Sequence, residues 1–138
     1  MNANATWKND MSFDGTTDGR FTVRMDAGEA VGGHDAGFRP TDLLAIGLAG
    51  CTGMDVISIL RKKRQDVTGF QVIVNITRAE EHPKVFTQIE IEYVVKGNAI
   101  DRTAVERAVE LSETKYCPSI AMLGKTAAIR NKITILPE

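Results

Sequence analysis

Cysteine and histidine are scarce in this chain of 138 residues: its only thiol and imidazole side chains are Cys51, Cys117, His34 and His82. A structural zinc ion takes four such ligands. Neither the spacing of these residues nor the predicted helix faces bring them together, so the sequence predicts no metal site and no cofactor. We expect both histidines to be exposed. No Cys-x-x-Cys occurs, which excludes a thioredoxin-type motif.

A strong charge of one sign and an apolar leader are also missing. The 17 basic and 18 acidic residues leave a net charge of −1, so no general field attracts nucleic acid or an anionic membrane. The polar residues 1–10 lack the apolar core of a signal peptide. The longest uncharged stretch, Leu43–Met54, is too short to cross a bilayer. These absences predict a cytoplasmic protein, and in that compartment cysteines rarely form structural bridges.

The hydrophobic periodicity predicts an α+β fold in a single domain, residues 1–138. Helices and strands segregate along the chain, which favours antiparallel sheets. We expect turns at Asp14-Gly15 and Asp18-Gly19, since both are turn-forming dipeptides. The predicted elements are short strands within 4–25, a glycine-rich loop over 26–39, a helix over 40–64, a hairpin of strands 69–78 and 85–95, helices over 101–116 and 117–124, and a strand over 129–136.

The predicted helix 40–64 is apolar or small on every side in its first half, which is typical of a helix threaded through a protein interior. Gly47, Gly50 and Gly53 recur every three residues in that half. Each glycine disfavours a helix by about 1 kcal/mol relative to alanine. We therefore expect this face to pack closely against another backbone, in the same chain or in a partner subunit.

The two cysteines have different predicted environments. Cys51 lies about three turns into the buried helix, where an apolar setting and Asp55, one turn later, would raise the pKa of its thiol. Cys117 precedes Pro118, a residue suited to the first helical position, so Cys117 falls at a helix N-cap. Backbone N–H groups at that position favour a thiolate. Local reasoning therefore makes Cys117 the better nucleophile and Cys51 a core residue.

Two segments resemble motifs of the osmotically inducible protein C (OsmC) family, which includes the organic hydroperoxide resistance (Ohr) proteins. The first is residues 39–52, with the sequence RPTDLLAIGLAGCT, and the second is Tyr116-Cys117-Pro118-Ser119. The predicted order of elements agrees over nearly the whole chain. The resemblance implies an OsmC-like fold, with antiparallel sheets wrapped around a long buried central helix. It also implies an intertwined homodimer with each cysteine pair at the subunit interface.

The resemblance further implies thiol-dependent reduction of organic hydroperoxides, a role in oxidative stress defence. Cys51 would be the peroxidatic residue that attacks the hydroperoxide. Cys117 would resolve the resulting sulfenic acid as a disulfide, which a dithiol reductant then reduces. This assignment reverses the ranking that local reasoning gave to the two cysteines.

Two supporting residues of the peroxidase members are replaced in this chain. The glutamate ten residues before the first cysteine is Thr41 here, with Asp42 beside it, and the arginine of the N-terminal turn region has no counterpart around residues 10–11. We take Asp42 and Arg20 as candidate supporting residues, since Arg20 follows a turn and could reach the site. The other candidates are Arg24 and Arg39. These departures resemble the broad OsmC-like branch more than the dedicated peroxidases.

Two alternatives to a peroxidase remain open. The apolar cleft between subunits of such a dimer could bind a small hydrophobic ligand without redox chemistry, which the replaced glutamate and arginine favour. The chain could also be a structural dimer whose thiols are inert. In that case the pKa of both thiols would lie at or above the usual cysteine value of about 8.5.

Overall fold

The computed structural model describes all residues, Met1–Glu138, in two compact units, Met1–Leu44 and Ala45–Glu138. The first unit is an antiparallel meander of β1 (Ala3–Asn9), β2 (Ser12–Thr17) and β3 (Phe21–Met25). The predicted turn at Asp18-Gly19 is confirmed, with φ of 51° and 71°.

The predicted turn at Asp14-Gly15 is wrong, because both residues lie inside β2. The first hairpin turns instead around Asp10, where φ is 45°. Gly15 serves a packing role in the strand: a Cβ atom at this position would come within 3.0 Å of the Met25 side chain on β3. Sequence alone does not separate a glycine that turns the chain from one that admits a neighbouring side chain.

The loop after β3 is organised by a buried carboxylate. Asp26 is 3% exposed and accepts N–H groups from Ala27 at 2.8 Å and from His34 and Ala36 at 3.1 Å. These bonds, led by the one from Ala27, hold the pKa of Asp26 below its usual value. A Cβ atom on Gly33 would lie 2.0 Å from the Ala27 carbonyl oxygen, so only glycine fits there. The glycine-rich loop is thus a closed structure around one side chain.

The second unit contains the rest of a long helix, two shorter helices and a three-stranded sheet ordered β4-β5-β6. The predicted boundaries are confirmed to within a few residues. The elements are α1 (Pro40–Lys62), which begins in the first unit, β4 (Asp66–Arg78), β5 (Phe86–Asn98), α2 (Arg102–Leu111), a π-helical segment (Ser112–Tyr116), α3 (Pro118–Leu123) and β6 (Ala128–Pro137).

The α+β fold is confirmed, with one difference in the sheet of the second unit. Strands β4 and β5 form the expected antiparallel hairpin, whereas β6 runs parallel to β5. A parallel neighbour needs a crossover connection of a dozen or more residues. The segment holding α2 and α3 supplies that length, and it therefore places Cys117 in the crossover between the two strands.

The core of the second unit lies between α1, α2 and the sheet. Helix α1 contributes a stripe of residues four apart, and β5 contributes every second residue, as the two periodicities require. Fully burying each large aliphatic side chain stabilises the fold by roughly 1.5–3 kcal/mol. The fully buried members on α1 and β5 are Leu48, Thr52, Val56 and Leu60, and Ile89, Ile91, Tyr93 and Val95.

The opposite face of α1 is open in the single chain. Ile46 is 51% exposed and Met54 is 74% exposed, and Cβ atoms on Gly47 and Gly50 would meet nothing within 4 Å. Gly53 does pack closely, since a Cβ atom there would lie 3.2 Å from the Val72 side chain. The sequence predicts that α1 is buried on every side. In the single chain only one stripe of the helix is buried, and the opposite face is exposed.

Helix α1 as a whole is long and apolar enough to cross a membrane by length and composition, with a mean hydropathy of 1.9 over its most apolar window. The uncharged stretch 43–54 alone is shorter than this window of 18 residues. Core helices of soluble proteins meet the same criterion.

Candidate functional site

The two cysteines meet on facing elements of the second unit. Cys51 lies midway along α1, and Cys117 is the N-cap of α3, as the sequence predicts. Pro118 occupies the first turn of α3, and the Cys117 sulfur accepts the Ile120 N–H at 3.4 Å. The two Sγ atoms lie 3.1 Å apart, with the Cys117 thiol donating to Cys51. Both thiols are free, and a disulfide requires an approach of only about 1 Å, to roughly 2.05 Å.

The pKa of Cys51 lies below its ordinary value. Partial burial opposes ionisation, but hydrogen bonds from the Cys117 thiol and from the hydroxyl and N–H of Ser119 outweigh it. Asp55 acts in the opposite direction through its charge. Because each of these donors points at a sulfur that gains negative charge, the arrangement favours the Cys51 thiolate.

The pKa of Cys117 is raised to about 11, first by burial and also by donation of its proton to Cys51. Its side chain is 3% exposed. The bond from the Ile120 N–H lowers the pKa, as expected of an N-cap, but burial is the larger effect. The local prediction that Cys117 is the more easily ionised thiol is therefore reversed, because sequence reasoning counted the N-cap donors and not the depth of the sulfur.

A chain of buried hydroxyl groups lies beside the cysteine pair. The Thr52 hydroxyl is 2.8 Å from both the Tyr93 and the Ser112 hydroxyls, and all three side chains are fully buried. The Ser112 hydroxyl donates to the Asp55 carboxylate at 2.9 Å. The Tyr93 hydroxyl also lies 3.5 Å from Glu113 Oε1. Each of these three hydroxyl groups thus has a partner, as buried polar groups require.

The outer end of the hydroxyl chain is a half-buried carboxyl group. Burial raises the pKa of Glu113, although the Asn131 amide donates to Oε2 at 2.9 Å. Burial likewise raises the pKa of Tyr93, so its phenol stays protonated. None of the residues in this hydroxyl chain was predicted as part of the site. The available signals were two polar residues, Thr52 and Ser112, on helix faces that are otherwise apolar, and a tyrosine in a strand of aliphatic residues.

The two candidate supporting residues lie in the first unit. Asp42 accepts the Arg39 N–H at 2.9 Å, in the manner of an N-terminal helix cap. The Arg20 guanidinium lies 5.6 Å from the centroid of the Phe21 ring, a cation–π distance. Of the alternatives, Arg24 pairs with Asp14 at 2.5 Å and Arg39 pairs with Asp35. Each of these side chains thus has a local partner within its own unit.

A cavity of about 450 Å³ opens one turn beyond Cys51. Its walls combine apolar side chains with two lysines and the Asp55 carboxylate that ends the hydroxyl chain. The lining residues are Asp55, Ser58, Ile59, Lys62, Lys63, Leu111 and Tyr116. No group of three or more His, Cys, Asp or Glu side chains is arranged to hold a metal ion. Both histidines are exposed, as predicted.

Comparisons with known proteins give one family model, a curated relative and similar solved structures. The model of the family described as OsmC-like protein matches residues 32–132. Protein YhfA of Escherichia coli K12 is 33% identical over 136 residues, which cover 99% of this chain and 98% of YhfA. A hypothetical protein from Aquifex aeolicus VF5 has a similar structure, with a TM-score of 0.87 at 29% identity over 99% of this chain and 96% of its own. An organic hydroperoxide resistance protein OsmC from Legionella pneumophila has a TM-score of 0.69 at 14% identity. The match covers 96% of this chain and 94% of the Legionella protein.

Proposed function

Because this chain belongs to the OsmC-like protein family, we propose that it is a thiol-dependent peroxidase that reduces organic hydroperoxides through Cys51 and Cys117. The observation that carries the proposal is the 3.1 Å separation of the two sulfur atoms. The opposite pKa directions of the two thiols support the assignment of Cys51 as the peroxidatic residue. The name of the Legionella relative supports the substrate class.

The first step is attack of the Cys51 thiolate on the hydroperoxide. The sulfur takes one peroxide oxygen, the O–O bond breaks, and the alkoxide leaves with a proton as the alcohol: Cys51–S⁻ + ROOH + H⁺ → Cys51–SOH + ROH. The sulfur is oxidised by two electrons and the hydroperoxide is reduced by two. Ser119 supports this step, because its hydroxyl and N–H lower the pKa of Cys51, a stabilisation that the resemblance assigns to an arginine in the dedicated peroxidases.

The second step is resolution by Cys117. Its sulfur attacks the sulfenic sulfur, the S–O bond breaks, and water leaves: Cys51–SOH + Cys117–SH → Cys51–S–S–Cys117 + H₂O. A dithiol reductant then restores both thiols and is itself oxidised to a disulfide. A resolving thiol that remains protonated until the sulfenic acid forms does not compete for the hydroperoxide, which agrees with its raised pKa.

We propose that residues 1–138 act as a single OsmC-like domain in a homodimer in the cytoplasm. The open face of α1 supports the dimer, because Ile46 and Met54 are exposed and two glycines on that face contact nothing in their own chain. Exposed apolar patches often mark protein–protein interaction sites. A second copy that packs on this face would bury the rest of α1.

The test is turnover of cumene hydroperoxide with a dithiol reductant by the purified chain, compared with single cysteine variants. Cys51→Ser should abolish turnover above the uncatalysed rate. Cys117→Ser should still consume hydroperoxide and accumulate a sulfenic acid at Cys51 that dimedone traps, with slower turnover. Undiminished turnover by Cys51→Ser contradicts the proposal.

A second candidate function is the binding of a small hydrophobic ligand without redox chemistry, which the 450 Å³ cavity favours. Native mass spectrometry would detect a molecule that co-purifies with the chain. Uptake of an apolar fluorescent probe by a double variant, Cys51→Ala with Cys117→Ala, would support this function. A chain stripped of ligand that takes up no apolar probe would exclude it.

A further inference from the structure

Ser112 contacts the segments of both cysteines through hydrogen bonds. Its backbone carbonyl accepts a hydrogen bond from the Cys117 N–H at 2.9 Å. This bond spans five residues and ends the π-helical segment. Its hydroxyl reaches α1, where Thr52 is the immediate neighbour of Cys51 and Asp55 lies one turn beyond. Single π-helical turns often occur at functional sites.

The direction of the hydrogen bonds at Ser112 follows from the chemistry of its partners. A carboxylate can only accept, so the single hydroxyl proton of Ser112 goes to Asp55. Thr52 must then donate to Ser112, since each hydroxyl has one proton. Ser112 therefore has both its donor and an acceptor site engaged by α1.

We propose that Ser112 is a positioning residue that sets the dithiol–disulfide equilibrium of Cys51 and Cys117 by holding the π-helical segment against α1. The proposal rests on the proposed function in that the disulfide is its intermediate. The equilibrium is also a property of the chain without any hydroperoxide, so the two can be tested apart.

The physical reason is effective concentration. A disulfide between distant residues forms readily when the fold already holds the two sulfur atoms close together. The bonds from Ser112 to Thr52 and Asp55 join the Cys117 segment to α1 in a fully buried setting, where polar contacts are strong. Without the hydroxyl, Ser112 makes no hydrogen bond to α1, because its remaining bond to the Cys117 N–H lies within the π-helical segment. We then expect the sulfur atoms to sample longer separations.

The measurement is equilibration with glutathione at neutral pH: protein dithiol + GSSG ⇌ protein disulfide + 2 GSH. Acid quenching, alkylation and mass spectrometry count the two protein forms. We expect Ser112→Ala to shift the equilibrium about tenfold towards the dithiol, as for loss of a hydrogen bond to a charged group. Thr52→Val should shift it in the same direction, and Thr52→Ser, which keeps the hydroxyl, should restore the wild-type constant.

Tyr93→Phe is the matched control. It removes a hydroxyl that is equally buried and belongs to the same chain, yet leaves the bond between Thr52 and Ser112 in place. Tyr93→Phe should lower the thermal midpoint while the glutathione equilibrium stays within about twofold of the wild type. If a general loss of stability were the cause, the glutathione equilibrium of Tyr93→Phe would shift as much as that of Ser112→Ala.

The outcomes separate this proposal from the proposed function. A shifted equilibrium in Ser112→Ala with no peroxidase activity in the wild type supports the positioning role and contradicts the peroxidase. Equilibria within twofold of the wild type for both Ser112→Ala and Thr52→Val overturn the positioning role, whatever the peroxidase result. If Ser112→Ala does not fold, the glutathione equilibria of Thr52→Val and Thr52→Ser test the proposal, because Thr52 is the partner of Ser112 in the same hydrogen bond.

Discussion

The Cys117 thiol donates a hydrogen bond to the Cys51 sulfur across 3.1 Å, so the thiol that is harder to ionise stabilises the thiolate of the other. Two opposite pKa directions follow from this one contact and from the difference in burial. The pair is thus asymmetric before any substrate arrives, which is what a nucleophile with a separate resolving thiol requires.

The pH dependence of Cys51 alkylation should change when the hydrogen bond donated by residue 117 is removed. Cys117→Ala removes the donor, so we expect the pKa of Cys51 to rise and its rate of reaction with iodoacetamide near neutral pH to fall. Cys117→Ser keeps a hydroxyl at this position and should retain most of the effect. Identical pH profiles for the alanine and serine variants would contradict a role for the Cys117 proton.

Acid unfolding should reveal the carboxylate that organises the loop after β3. The pKa of Asp26 is lowered in the folded chain, so its contribution is complete above the unfolded value of about 3.9 and is lost as the pH falls below it. Asp26→Asn should be less stable than wild type at neutral pH, and the difference should shrink below about pH 4. Urea unfolding at several pH values measures it.

Asp18→Asn is the control for this prediction, because it makes the same change at an exposed turn. Its effect on the urea midpoint should be small at every pH. An Asp26→Asn difference that stays constant down to acid pH would argue against the three backbone hydrogen bonds as its cause.

Glu113 should show the opposite sign of pH dependence. Burial raises the pKa of Glu113 in the folded chain, so its favourable contribution is present below the unfolded value of about 4.3 and is lost as the pH rises through the folded value. Glu113→Gln stays neutral, and its stability relative to wild type should therefore improve from acid to neutral pH. Urea midpoints across this range test the trend, with the exposed Glu80→Gln as the control that should show none.

The open face of α1 yields a prediction that tests whether this face is the proposed dimer surface. If the face were uncovered in solution, Gly50→Ala would stabilise the helix by about 1 kcal/mol, because its Cβ atom meets nothing. With a partner packed there, we expect Gly50→Ala to lower the thermal midpoint and Met54→Glu to yield monomers by analytical ultracentrifugation. Thr103→Glu, at an exposed position of α2, should remain dimeric. Dimeric Met54→Glu would place the interface elsewhere.

The local features of this chain could be predicted from its sequence. Helix α1, the β4–β5 hairpin and the N-cap at Cys117 each depend on residues within a few positions of one another, through side-chain periodicity and the fixed φ of Pro118. The family resemblance added the pairing of Cys51 with Cys117. Turn chemistry was less reliable, because Gly15 admits the Met25 side chain instead of turning the chain.

Whatever depends on burial or on distant contacts was decided by the tertiary structure alone. The reversed order of the thiol pKa values comes from the depth of Cys117, which no neighbour in sequence reports. The parallel pairing of β6 and the bond between Thr52 and Ser112, 60 residues apart, arise only when the crossover folds back onto α1. Sequence determined which groups could react, and packing determined which of them ionises, because desolvation and hydrogen bonding depend on what surrounds a sulfur atom in space.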